Sequence, residues 1–154
     1  MEIERKFLVG SEPDREASGS SEIEQGYLAL ADDRGGAEVR VRRVRAQHWL
    51  TVKGGTGRTR TEEEIAIEPE VFESLWDLTE GRRIAKTRHV IPHGELEIEL
   101  DVFRGPLEGL RIAEVEFADE DSADAFEPPP WFGEEVTGDR RYLNETLATE
   151  GAPS

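Results

Sequence analysis

The 154-residue sequence has no cysteine, one methionine and only three lysines. Without cysteine neither a disulfide nor a thiolate metal site can form, so a sulfur-ligated zinc centre is excluded. No apolar run approaches the ~20 residues that span a bilayer as a helix, and the opening residues are charged from Glu2 onward, unlike a signal peptide. The expectation is a cytoplasmic protein with no membrane partner. Basic charge is scarce as well: 19 Lys and Arg stand against 35 Asp and Glu, for a formal charge of −16. Because a nucleic-acid backbone rewards a basic face, nucleic acid is not an expected partner. Net charge says little, however, about a local cavity.

The three lysines, Lys6, Lys53 and Lys86, all fall in strand-like segments. A lysine is a compact point charge with three donors, which suits a phosphate oxygen. The excess of arginine over lysine is equally what a biased genome composition would leave.

Eight short segments alternate with period two between Gly-, Pro- and Asp-rich turns. They are Glu2–Val9, Glu24–Leu30, Ala37–Val44, His48–Lys53, Thr59–Ile67, Ile84–Ile91, Glu95–Phe103 and Ile112–Ala118. Hairpin turns are expected at Asp32–Gly36, Gly54–Gly57 and Pro92–Gly94. A helix is expected from Pro69 to about Glu80, opened by proline and stopped by Gly81, with Val71, Phe72, Leu75 and Leu78 at helical spacing. Shorter helices are expected at Asp121–Phe126 and Arg141–Ala148. Residues 1–150 read as a single domain and Gly151–Ser154 as a frayed, disordered tail. Many antiparallel strands with few helices imply an α+β fold, with an eight-stranded barrel or strongly curved sheet.

Alternation sorts the charges. One face carries Glu2, Glu4 and Lys6, spaced about 7 Å per two residues. Later strands add Glu38, Arg40 and Arg42; Lys53; Arg60, Glu62 and Glu64; Lys86 and Arg88; Glu95, Glu97, Glu99 and Asp101; Glu114 and Glu116. An ordinary half-buried sheet explains any one of these strands. Across the set, signs are segregated, whereas solubilising charge would mix them, since like charges facing across strands are unfavourable. Cationic rows suit phosphates and carboxylate rows suit hard divalent ions. A barrel with a charged interior fits, its apolar outside covered by helices or by a second protomer in a homodimer. Such a cavity must stay hydrated and paired.

In this order the motifs resemble the CYTH superfamily, the triphosphate tunnel metalloenzymes, in its short bacterial form. The matching residues are Glu2-x-Glu4-x-Lys6, Gln25-Gly26-Tyr27-Leu28, Arg40-x-Arg42, Leu50-Thr51-Val52-Lys53-Gly54, Glu62-x-Glu64 and Lys86-x-Arg88. Asp101-x-Phe103-x-Gly105, Ala113-Glu114-Val115-Glu116 and the run from Trp131 to Asn144 complete the set. The resemblance implies an eight-stranded antiparallel β-tunnel that binds a linear triphosphate with Mg²⁺ or Mn²⁺. It implies that Arg40, Arg42, Lys53, Lys86 and Arg88, joined by Arg60, grip phosphate oxygens. It implies Glu2, Glu4, Glu114 and Glu116 as the principal metal carboxylates, with Glu62, Glu64, Glu99 and Asp101 as further tunnel acids. Lys6 and Tyr27 resemble a catalytic pair of members that hydrolyse inorganic triphosphate; a core tyrosine needing one hydroxyl partner is the alternative for Tyr27.

The implied activity is metal-dependent hydrolysis of inorganic triphosphate by water attack on a phosphoryl group. Alternatives on the same fold are thiamine- or nucleoside-triphosphate hydrolysis, adenylate cyclisation, or non-catalytic binding of polyphosphate or nucleotides. An organic substrate needs an apolar platform at the mouth, for which Trp49, Trp131 and Phe132 are the candidates. His48, His89 and His93 share no spacing with the carboxylate rows and read as surface or core residues.

Overall fold

The computed structural model describes residues 3–31, 36–54 and 61–153. The chain divides into two compact units. The first comprises Met1–Ser21, Lys86–Tyr142 and Ala152–Ser154; the second comprises Glu22–Ala85 and Leu143–Gly151.

In the first unit, β1 (Ile3–Val9), β7 (Leu96–Phe103), β8 (Arg111–Phe117) and a short β9 (Phe132–Glu135) join the later part of β6 (Arg83–His93) in antiparallel order β6-β7-β8-β1-β9. Because alternate residues share a face, β1, β7 and β8 send Phe7, Ile98, Leu100, Ala113, Val115 and Phe117 to one side. There they form a core with Ala123, Phe126 and Trp131. Ala123 belongs to α2 (Glu120–Ala125), started by Asp119, whose carboxylate accepts from Ser122 N at 2.7 Å. Arg5 lies on the same side and ties three pieces together. Its guanidinium donates to the Ala123 and Phe126 carbonyls at 2.8 and 3.1 Å and grips Glu135 at 2.8 and 2.9 Å.

The second unit holds β3 (Glu38–Val44), β4 (Gln47–Gly54), β5 (Thr61–Ala66) and most of β2 (Gly19–Ala29), in order β5-β4-β3-β2. Here α1 (Pro69–Trp76) begins with proline, whose missing N–H would have been unpaired anyway. It buries Phe72 between His48, at 5.0 Å, and Trp76, at 5.3 Å between ring centroids. A 3₁₀ turn, Asp77–Thr79, follows, and α3 (Asn144–Glu150) ends at Gly151, whose φ of 79° only glycine adopts without strain.

The structure corrects several expectations. Nine strands form rather than eight, and their hydrogen-bonded order, β5-β4-β3-β2-β6-β7-β8-β1-β9, ends at β5 and β9 without closing among the described residues. The ninth strand follows three prolines and has only four residues, too short for alternation to mark it; it is anchored by Val136 N donating to Lys6 O at 2.8 Å. β2 starts well before Glu24, because the serine-rich stretch pairs by backbone, Ser18 N to Val90 O at 2.8 Å, rather than by an apolar pattern. The first helix stops at Trp76, not Glu80, and the last begins at Asn144, three residues after Arg141. The expected turns at Asp32–Gly36 and Gly54–Gly57 lie mostly outside the described residues. The third is present, with Gly94 at φ 64°.

Gly26 makes a close approach that no other residue could. A Cβ there would sit 2.5 Å from Thr79 Oγ1 and 2.6 Å from Thr79 Cβ. Thr79 is fully buried and cannot retreat, since its hydroxyl donates to Trp76 O at 2.7 Å and accepts from Arg83 Nε at 3.0 Å. Gly26→Ala should therefore destabilise the fold by about 2–3 kcal/mol in urea unfolding; an unchanged midpoint would show that the 3₁₀ turn is not fixed.

Candidate active site

The face of the first unit's sheet opposite the core carries Glu4 and Lys6 of β1, Lys86 and Arg88 of β6, Glu99 and Asp101 of β7, and Glu114 and Glu116 of β8. Register sets their neighbours: Arg88 lies opposite Asp101, Glu99 opposite Glu114, Lys6 opposite Glu114 and Glu4 opposite Glu116.

At one end an acid sits between two cations. Asp101 accepts from Lys86 Nζ at 2.8 Å and from Arg88 Nε and Nη2 at 2.8 and 3.0 Å, while Arg88 Nη1 reaches Glu99 at 3.1 Å. Lys86 is 2 % exposed and Asp101 5 %. Burial pulls the Lys86 ammonium downward while Asp101 beside it resists. Burial would raise Asp101, but Lys86 and Arg88 hold it below the usual carboxylate range. Arg88 rises, its burial outweighed by Asp101 and Glu99. Breaking such a pair strands an uncompensated charge, which costs about 3–5 kcal/mol.

At the other end two acids meet. Burial, followed by a hydrogen bond and repulsion from Glu4, pushes the Glu114 carboxyl up to about 7, with Lys6 opposing. A raised carboxyl beside a second acid favours its protonated form, and a cation bound there would favour the ionised one. The Lys6 ammonium donates a long hydrogen bond, 3.5 Å, to the Tyr142 carbonyl. Among the described residues no three acidic or imidazole side chains are grouped to hold a metal by themselves. A pair of carboxylates suits an ion that keeps water and takes phosphate oxygens for its remaining positions, as Mg²⁺ does.

The second unit carries its own charged face: Gln25 and Tyr27 on β2, Glu38, Arg40 and Arg42 on β3, Trp49, Thr51 and Lys53 on β4, and Glu62 and Glu64 on β5. Tyr27 is 1 % exposed, and its hydroxyl receives Gln25 Nε2 at 3.0 Å and the Arg40 guanidinium. Burial, with Glu38 adding to it, raises the phenol to about 12, so Tyr27 is neutral at physiological pH. Glu38 lies 3.9 Å from Arg40 and is also raised, by burial and by a hydrogen bond with Glu145 of α3. Arg40 Nε is buried with no hydrogen-bond partner among the described residues. Lys53 and Glu62 pair loosely at 3.7 Å, and Glu62 and Glu64 lie on the fully exposed β5. An ion pair so exposed is worth under about 1 kcal/mol.

Of the residues expected from sequence, Glu4, Lys6, Lys86, Arg88, Glu99, Asp101, Glu114 and Glu116 share one face, and Tyr27, Arg40, Arg42, Lys53, Glu62 and Glu64 share another. Glu2 and Arg60 lie outside the described residues. Asp101, expected beside the metal, has its oxygens engaged by the two cations. Trp131 and Phe132 pack into the core, Phe132 at 4.8 Å from Phe7, so Trp49 alone of the three aromatic candidates stands on a charged face. The histidines are elsewhere: His48 on Phe72, His89 on Ser20 Oγ at 2.7 Å, and His93 on Phe126 at 5.8 Å. Sequence reasoning put Glu38 on the face of Arg40 and Arg42 and Gln25 in a motif but gave neither a role, and it left out Glu145; nothing in the sequence shows where α3 docks.

An α+β protein built from antiparallel strands, with paired cations and carboxylates on one face of each unit, is the class this geometry defines. The chain belongs to the CYTH domain family, whose profile matches residues 1–149. It is 50 % identical over 149 residues to an inorganic triphosphatase of Nitrosomonas europaea, covering 96 % of both chains. It is 40 % identical over 148 residues to an inorganic triphosphatase of Acetivibrio thermocellus, covering 95 % of this chain and 92 % of that one. The crystal structure of the inorganic triphosphatase NE1496 matches with a TM-score of 0.83 at 45 % identity, covering 99 % of this chain and 97 % of that one.

The acid pair makes a linkage prediction. With its folded pKa raised to about 7, Glu114 contributes stability that is full below the ordinary carboxylate pKa and is lost as pH rises through 7. The metal-free protein should lose on the order of 1–3 kcal/mol between pH 5.5 and 8. Glu114→Gln should flatten most of that slope, and Mg²⁺ or Mn²⁺ should restore stability at pH 8 in the parent only. A slope unchanged by Glu114→Gln would contradict the raised Glu114 carboxyl.

Proposed function

We propose that the chain is a metal-dependent inorganic triphosphatase. Its substrate is tripolyphosphate, and residues 1–150 act as one catalytic domain. Two relatives at 50 % and 40 % identity with this activity in their names support the reading. The observation that carries it is the single face on which the Lys86–Asp101–Arg88 cluster and the Glu4–Glu114 acid pair both stand.

Tripolyphosphate brings about four to five negative charges, which a neutral cavity could not hold. Asp101 keeps Lys86 and Arg88 in place, and Lys86 uses one of its three donors on it, leaving the others for phosphate oxygens. The family resemblance adds Arg40, Arg42, Lys53 and Arg60 as further phosphate-binding cations. Glu4 and Glu114, with Glu2 and Glu116 beside them in sequence pattern, would hold a divalent ion, Mg²⁺ or Mn²⁺, whose charge neutralises phosphate oxygens and polarises a bound water. Glu114 would bind such an ion as the carboxylate. Lys6, opposite Glu114, offers an ammonium to the departing phosphate, and Tyr27, a neutral phenol, serves as a hydrogen-bond donor rather than a base. Glu62, Glu64 and Glu99 complete the acidic set, Glu99 by steadying Arg88.

Phosphate release should be rapid from tripolyphosphate and slower from ATP and thiamine triphosphate, with Mg²⁺ or Mn²⁺ and not with EDTA. Lys6→Ala and Glu4→Ala, folded by circular dichroism, should each lower kcat by about a hundredfold. Equal rates in parent and variants would end this reading. A preference for an organic triphosphate would move specificity to Trp49.

A further inference from the structure

The opposite side of the first unit holds an open cavity of about 560 Å³ that the charged row does not use. Its floor is apolar, formed by Ile91, Leu100 and Val102, and its walls carry Arg15, Arg111 and His89. Strand alternation sets the two sites back to back: His89 adjoins Arg88, and Leu100 lies between Glu99 and Asp101 in the chain, with opposite facing. Volumes of ~300–1,000 Å³ with an apolar lining and a few polar groups are typical of small-molecule sites.

The charges of this cavity run against those of the chain. In a protein of formal charge −16, two arginines share it with one carboxylate, Glu12. Arg111 is largely sunk, its side chain 19 % exposed, yet its ion pair among the described residues is a loose 3.7 Å contact to Glu12, whose side chain is 90 % exposed. So wet a pair contributes under about 1 kcal/mol and is readily exchanged. A guanidinium held against an apolar floor, with its fork of donors little engaged, matches a carboxylate in two-point contact. Ser20 Oγ, 2.7 Å from His89 Nδ1, fixes the imidazole ring in the wall. The apolar floor favours a ligand with a hydrocarbon or aromatic body, which inorganic phosphate lacks.

We infer that this cavity is a second binding site, for a small carboxylate carrying an apolar body, with Arg111 and Arg15 taking the carboxylate and Ile91, Leu100 and Val102 the body. Benzoate is the probe. Added to the full-length protein, it should bind with a dissociation constant on the order of a millimolar. In two-dimensional NMR it should shift the amides of residues 89–91 and 100–102. Arg111→Leu should weaken binding about tenfold, and Arg15→Ala, in an exposed loop where folding is not at risk, several-fold. Inorganic phosphate, an anion without the body, and benzyl alcohol, a body without the anion, should each bind at least about tenfold more weakly than benzoate. Benzoate affinity unchanged in Arg15→Ala and in folded Arg111→Leu would overturn the inference. So would phosphate binding as well as benzoate, or benzoate displaced by tripolyphosphate, which would put it on the charged row instead.

Discussion

A carboxylate held between two cations on a sheet face is the interaction on which this structure turns. Asp101 takes one ammonium and two guanidinium nitrogens within 3.0 Å, in a place where its neighbour Lys86 is nearly free of solvent. None of the three charges would stay at such depth alone, because desolvation costs several kcal/mol per ion. Each cation is met by an acid, Lys86 by Asp101 and Arg88 by Asp101 and Glu99. The same face carries the Glu4–Glu114 pair, where burial and the neighbouring Glu4 push the Glu114 carboxyl up. Under the proposed function the acid pair takes a divalent ion and the cationic cluster takes phosphate oxygens.

Period-two alternation makes this arrangement affordable. The residues between those of the charged row, Phe7, Leu100, Ala113 and Val115 among them, form the core under α2 and the segment around Phe126. Apolar burial on that side offsets the cost of ordering charges on the other. The second unit repeats the principle with different parts: α1 covers one face through Phe72, while on the other Arg40 bonds to Tyr27, with Glu38 3.9 Å from Arg40. Arg5, an odd-numbered residue in a row of even-numbered charges, shows the same logic. It turns to the core side and there becomes a structural clamp on Ala123, Phe126 and Glu135.

Much of this was legible because alternation writes a strand's two faces directly into the sequence. Glu4 and Lys6, Lys86 and Arg88, and Glu114 and Glu116 could be placed on common faces from parity alone. What parity cannot give is which strand lies beside which, so the engagement of Asp101 by Lys86 and Arg88 had to come from the register of β6 on β7. The same gap hid the Glu38–Glu145 contact, made by residues more than a hundred positions apart. β9 escaped notice because four residues after three prolines carry no period. The early part of β2 escaped because serines pair by backbone and leave no apolar trace.

The central claim is that one face holds a divalent ion at its acidic end and phosphate at its cationic end. The most direct measurement is anomalous diffraction from crystals grown with Mn²⁺ and a non-hydrolysable imido analogue of tripolyphosphate. The account predicts a manganese peak against the Glu4 and Glu114 carboxylates, with phosphate oxygens on Lys86 and Arg88. Manganese elsewhere, or a phosphate chain that avoids Lys86 and Arg88, would contradict it.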